Sequence, residues 1–189
     1  MILTESKLRS LTSQARIATE AMMRTRYYSA TNQRLSVFLS HKHGDLDHLE
    51  RVRYLLEKLH TSVYVDWADP SMTYPPDRET GEKLKARIKK YDKFVFIATD
   101  AAIESEWCNW EIGYGDAQKY DSDKIAIFPI KQDNRDWEGN EDLQLYPSVE
   151  YYDGTTRYRD SNIIISEGFY VRYRYRDNII VPLLNWLKR

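Results

Sequence analysis

Residues 105–115, SEWCNWEIGYG, put a carboxylate where a helix would have no ordinary use for one. On a helix the neighbours of Glu111 lie three and four positions away. Those are Trp107 and Cys108 on one side and Tyr114 and Gly115 on the other, with Ile112 alongside. Two aromatics, a thiol and a glycine do not make a solvated stripe. Burying a charge costs several kcal/mol unless it is paired or hydrogen-bonded. Glu111 therefore has a fixed structural partner, with Arg78 and Lys83 as candidate cations, or it faces a cleft where a ligand supplies one.

A second group able to do chemistry is His41-Lys42-His43-Gly44-Asp45-Leu46-Asp47-His48. Imidazoles and carboxylates at a strand end can hold a divalent metal that activates water. The stretch resembles the HxHxDH zinc motif of metallo-β-lactamase-fold hydrolases. However, Leu46-Asp47 intervenes before His48, and the glycine pair that follows the motif is replaced by Leu49-Glu50. His60 is the only histidine left to complete such a site. A zinc hydrolase built on His41, His43, Asp45 and His48 is the lesser alternative, and no metal ligand is expected.

The elements that must carry these residues follow from periodicity. Residues 35–39 (LSVFL), 62–66 (SVYVD), 94–98 (FVFIA) and 125–130 (IAIFPI) are short apolar runs of strand-forming residues. Between them Leu46, Leu49, Val52, Leu55, Leu56 and Leu59 recur at helical spacing behind Asp45 as N-cap. Thr80-Gly81 precede a second helix over residues 82–91, and SEWCNWEIGYG is the third. Near-continuous apolar strands alternating with amphipathic helices predict a parallel sheet covered on both faces. Such sheets bind ligands beyond the C-terminal ends of their strands. The segments falling there include SHKHGD, DWADP and TDAAIES. Asp66 and Asp69 serve there equally well as local backbone caps.

Outside this core, residues 1–30 read as an N-terminal helical extension with Leu8, Leu11, Ala15, Ala18 and Met22 inward, and 27–34 as linker. Residues 149–152 read as a fifth, edge strand. Residues 153–189 form a C-terminal addition: a hairpin strand over Phe169, Val171, Tyr173 and Tyr175, a turn at Asp177-Asn178, and a last helical turn with Trp186 and Leu187. The Arg/Tyr alternation of that strand could stack RNA bases. A solvated edge hairpin explains it better, because the chain of 189 residues carries a net charge of −1 and a pI near 6.4. That balance argues against a nucleic-acid surface or a polybasic membrane patch. The single cysteine excludes an internal disulfide framework and fits a reducing compartment. There is no apolar run of bilayer-spanning length and no basic-then-apolar signal at the N-terminus. A cytoplasmic protein is expected.

Four separate stretches, in order, resemble Toll/interleukin-1 receptor (TIR) domains. LSVFLSHKHGD is similar to the family's first box, a hydrophobic strand ending in Ser-His with an Asp a few residues later. VYVDWADPSM resembles the second strand and the loop after it, ETGEKLKARI the next helix, and KFVFIATDAAIESEWCNWEI the third strand with its Ser, Trp-Cys and Glu. The resemblance implies a flavodoxin-like α/β fold, a central parallel sheet with helices on both faces, over residues 35–189 with a core at 35–152.

It also implies chemistry. Many bacterial and plant TIR domains cleave NAD+ at the nicotinamide–ribose bond, and Glu111 stands where their catalytic glutamate lies. Trp107 matches a tryptophan four residues earlier. Adaptor TIR domains that serve only as interaction modules lack that glutamate, and such a module is the alternative here. Loss of nicotinamide passes through an oxocarbenium-like state that a carboxylate can stabilise. Ser40, His41 and Asp45 belong to the pocket rim, and Trp67 and Trp107 could stack on a flat ring. Lys42 or Arg78 could neutralise a diphosphate. The chain has no G-x-G-x-x-G, so NAD+ enters as a substrate in a cleft and no cofactor is expected. The product is ADP-ribose or a cyclic isomer. The resemblance extends to a stand-alone bacterial type with a role in antiphage defence, as in Thoeris systems, where a cyclic signal activates a separate effector. Self-association through the loop at 68–80 is expected with it.

Overall fold

The computed structural model describes residues 1–13, 35–73, 77–137, 139–159 and 161–189, with Trp67 through its backbone alone. In chain order the elements are β1 (Leu3–Thr4), α1 (Glu5–Leu11), β2 (Leu35–Ser40), α2 (Leu46–Lys58), β3 (Thr61–Tyr64), a 3-10 turn (Asp66–Ala68) and α3 (Arg78–Lys90). There follow β4 (Lys93–Ala98), α4 (Asp100–Ile103), α5 (Glu106–Lys119), β5 (Ile125–Lys131), a 3-10 turn (Asp142–Leu145), β6 (Ser148–Tyr152), β7 (Gly168–Tyr173), β8 (Ile179–Pro182) and α6 (Leu183–Leu187).

The strands form one mixed sheet in the order β3-β2-β4-β5-β6-β7-β8. Pairing is parallel from β3 through β6 and antiparallel for β7 and β8. Counted from β2, the parallel part has the 2-1-3-4-5 order of flavodoxin-like sheets. The sheet is covered on both faces because successive strand residues point opposite ways. Val37, Leu39, Val95 and Ile97 meet Leu49, Val52 and Leu56 of α2 and Leu8 of α1 on one face. Phe38, Phe94, Phe96 and Ile127 meet Leu84 and Ile88 of α3 and Cys108 and Ile112 of α5 on the other. Helix α5 lies close to the sheet at Gly115, where a Cβ would stand 3.0 Å from the Phe94 ring.

Several boundaries differ from the sequence reading. Strand β6 is no edge: β7 pairs with it over five positions, and β8 takes the edge. Helix α3 starts at Arg78, because Asp77 caps it by accepting the Thr80 N–H at 2.7 Å. Asp45 occupies the N-cap position of α2 but makes no side-chain cap bond. At the N-terminus, helix α1 ends at Leu11, and the Thr12 hydroxyl turns back to the Leu8 carbonyl at 2.6 Å. The expected positions Ala15, Ala18 and Met22 and the linker at 27–34 lie outside the described residues. Unforeseen is β1, which runs parallel to the C-terminal end of β5, Leu3 opposite Ile130. Residues 1–13 thus share the sheet and core of the main body, with Leu3 and Leu8 buried.

Candidate active site

The site follows from the strand order. The chain leaves β2 for α2 on one face and β4 for α5 on the other. A crevice therefore opens beyond the C-terminal ends of these neighbouring strands. Ser40 and His41 end β2, Thr99 follows β4, and α5 brings Glu111 across the crevice floor.

Glu111 is 1% exposed. The Ser40 hydroxyl donates to its Oε2 at 2.6 Å. Among the described residues its Oε1 lacks a hydrogen bond of normal geometry, as do both ring nitrogens of the buried His41 and the indole Nε1 of Trp107. Among the described residues Glu111 makes no ion pair. The cation expected of a purely structural glutamate is absent there: Lys83 binds Glu79 at 2.7 Å, and Arg78 is exposed at the first turn of α3. Burial raises the Glu111 carboxyl well above the usual range, and the like charge of Asp66 adds to that. The Ser40 hydrogen bond and the nearby Trp107 indole oppose it by favouring the charged form. Burial also pushes the His41 imidazole down to about 4, which leaves it neutral near pH 7. The Cys108 thiol donates to the His41 carbonyl at 3.3 Å, and burial pushes it up to about 12.

Ser40, His41 and Glu111 are therefore brought together, and Trp107 stands one helical turn from the carboxylate. The Trp107 ring stacks on Trp110 at 4.9 Å between centroids. Asp45 is turned away: its Oδ2 accepts from the Thr99 hydroxyl at 2.9 Å, which ties the β2–α2 loop to the end of β4. The side chain of Trp67 lies outside the described residues. Asp66, which the sequence reading left even between ligand contact and a local cap, faces His41 at the edge of the site.

The residues of the metal alternative are engaged separately. His41 Nδ1 faces Asp66 Oδ1 at 3.8 Å, His48 Nε2 faces Glu5 at 3.5 Å, and Asp45 is held by Thr99. Among the described residues no group of three or more His, Cys, Asp or Glu could hold a metal ion. A separate cavity of about 630 Å³ opens beside β1, between Lys7, Trp137, Tyr151, Arg172 and Arg174, away from Glu111.

The family model described as TIR domain matches residues 37–163, which span β2 to the segment before β7. The chain belongs to the TIR domain family. Its relatives include a Bacillus cereus (strain MSX-D12) protein named as a probable 3' cyclic ADP-D-ribose synthase, ThsB'. That protein is 30% identical over 165 residues, covering 84% of this chain and 78% of the relative. A Cytobacillus dafuensis protein named as a candidate cyclic ADP-D-ribose synthase, TIR2, is 32% identical over 81 residues. This second match takes in 41% of the TIR protein described here and 21% of the relative.

Proposed function

We propose that this TIR protein cleaves the bond between nicotinamide and ribose in NAD+, with Glu111 as the catalytic carboxylate. The observation that carries the proposal is the state of that residue. It is a buried carboxylate at the sheet's forking crevice, held by one hydroxyl and, among the described residues, with its second oxygen lacking a hydrogen bond of normal geometry. A protein that wanted only stability would place an apolar side chain there.

The reaction needs little from the protein. The C1'–N bond breaks with its electron pair going to the nicotinamide nitrogen, which was cationic and leaves neutral, so no general acid is required. Positive charge develops on the ribose, and ionised Glu111 stabilises it. Ser40 fixes the orientation of the carboxylate, and His41 and Trp107 border the ribosyl group. Asp45 acts by holding the rim, and Trp67 is assigned to stacking. Attack on C1' by water gives ADP-ribose and releases a proton. Attack by an oxygen or nitrogen of the same molecule gives a cyclic isomer, and the names of both relatives favour that outcome. The cyclic product would serve as a signal to a separate effector in antiviral defence, in the cytoplasm where NAD+ is abundant. Among the described residues no helix is long and apolar enough to cross a membrane. Because Glu111 is 1% exposed, substrate entry requires the crevice to open. Self-association through the loop at 68–80 is the event we assign to that opening.

The test is to incubate concentrated protein with NAD+ and follow free nicotinamide, then separate the products against linear and cyclic ADP-ribose standards. Release by the wild type and its loss in a folded Glu111→Ala variant are expected. No release under any self-associated condition would leave an interaction module as the better reading, and undiminished release by the variant would sink the assignment of Glu111.

A further inference from the structure

The connection from β6 to β7 holds no helix among the described residues. Register sets Ser148, Arg172 and Ile180 side by side across β6, β7 and β8, so the even-numbered residues of these strands share one face of the sheet. The odd-numbered ones, Val149, Val171 and Val181, point to the other face and pack with Trp186 and Leu187 of α6. The even face is met instead by the connection itself, which folds back through a bridge between Arg157 and Ile164 and buries Ile165. Between the two lies a cavity of about 300 Å³. Tyr152, Arg172 and Ile180 line it from the strands, and Arg157, Tyr158 and Arg159 from the connection.

The charges in this cavity do not cancel. Among the described residues its one lining carboxylate is Glu150, which is 1% exposed. A buried carboxylate needs partners, and Glu150 has them in the Ser148 hydroxyl at 3.1 Å, Arg172 at 3.4 Å and Arg174 at 3.0 Å. Arg157 and Arg159 make no ion pair among the described residues. They donate to neutral acceptors, the Asn162 side-chain oxygen at 3.4 Å and the Asp177 carbonyl at 2.7 Å. Arg172 also gives two N–H groups to the Asn178 side-chain oxygen. Three guanidiniums thus surround one carboxylate that is already shared with Arg174. Beside them the Tyr158 ring carries the Arg159 guanidinium 5.2 Å from its centroid, and Ile165 and Ile180 supply an apolar wall.

Guanidiniums bind phosphate through paired N–H groups, and aromatic and guanidinium planes stack on any nucleobase. We propose that this cavity binds a free nucleotide, with the phosphate on Arg157, Arg159 and Arg172 and the base against Tyr158 and the two isoleucines. The volume stands at the lower end of the range for small-molecule pockets. A net charge of −1 on the chain disfavours a long polyanion. The site is distinct from the crevice, because β4 and β5 stand between β6 and the strand that carries Ser40. It therefore stands whether or not Glu111 cleaves NAD+.

The experiment is calorimetric titration of the whole protein with AMP and with GMP, against adenosine and inorganic phosphate, repeated on an Arg157→Ala/Arg159→Ala double variant. Both arginines are exposed, and circular dichroism checks that the variant is folded. The expected result is saturable binding of at least one nucleotide below about 1 mM, with adenosine and phosphate at least about tenfold weaker. The double variant should bind that nucleotide at least about tenfold less tightly. If it does not fold, Arg157→Ala alone decides, with an expected loss of about fivefold. No saturable binding by the wild type overturns the proposal. So does binding that the folded variant leaves unchanged, which would place the nucleotide in the crevice. A 5'-phosphorylated oligonucleotide that binds and is displaced by neither nucleotide also overturns it, in favour of a nucleic-acid surface.

Discussion

Replacing Glu111 by glutamine should stabilise the protein, and by an amount that grows with pH. The amide keeps the side chain's shape and leaves an oxygen to accept the Ser40 hydroxyl at the 2.6 Å position, so the difference isolates the charge. The sign follows from linkage. The folded carboxyl is raised well above its ordinary range, so below the ordinary carboxylate value both folded and unfolded states are protonated and Glu111 carries no penalty. As pH rises from there towards the raised folded value, the unfolded chain gives up its proton while the folded chain keeps it. Wild-type stability then falls by about 1.4 kcal/mol for each pH unit. For a domain of this size that is about 3–6 °C in Tm per unit. With the residue 1% exposed, solvent screening does not reduce the figure.

The wild-type curve alone would hide this effect. His41, pushed down to about 4, titrates with the opposite sign: its contribution is complete above the ordinary histidine value and is lost as pH falls towards 4. Thermal melts of both proteins, followed by circular dichroism from about pH 5 to about pH 7, cancel the histidine and leave the glutamate. The Tm gap between Glu111→Gln and wild type should be larger at the upper end of that range than at the lower. Parallel curves would mean that Glu111 titrates like a surface carboxylate, and the argument from burial and Asp66 would be wrong.

Three further outcomes test the surroundings of the site. Ser40→Ala removes the one hydroxyl that favours the charged carboxylate, so nicotinamide release should fall by roughly 10- to 100-fold while the fold persists. Gly115→Ala sets a Cβ 3.0–3.2 Å from three Phe94 ring carbons; overpacking outweighs the helix-propensity gain, for a net loss of about 1 kcal/mol in urea unfolding. Cys108, held as a thiol by a pKa near 12, should react with a thiol reagent only through opening of the crevice, so the labelling rate should rise when the protein self-associates.

How much of this was readable beforehand differs from residue to residue. The apolar runs at 35–39, 94–98 and 125–130 announce strands buried on both faces, since a side chain of either parity must meet a helix. The burial of Glu111 was likewise legible, because helical spacing alone puts it among Trp107, Cys108 and Gly115. The start of α3 was misplaced by four residues, since Asp77 and Thr80 are both plausible caps and only the backbone path decides between them. Strand β1 carries no pattern at all. Two residues cannot show periodicity, and its pairing with β5 lies more than 120 positions away in the chain.

Local chemistry is therefore what the sequence determined: which segments are strands and helices, which faces are apolar, and that one carboxylate had been buried at a cost. Those properties depend on side chains a few positions apart, whose geometry the helix and strand repeats set in advance. Tertiary structure alone decided the partners of that carboxylate. Ser40 reaches Glu111, and Asp66 comes to lie 3.8 Å from His41, because β3, β2 and β4 are neighbours in that order and register, and Asp45 is drawn off to Thr99 by the same strand order. Strand order and register are settled by the packing of whole faces, and no short stretch of residues records them.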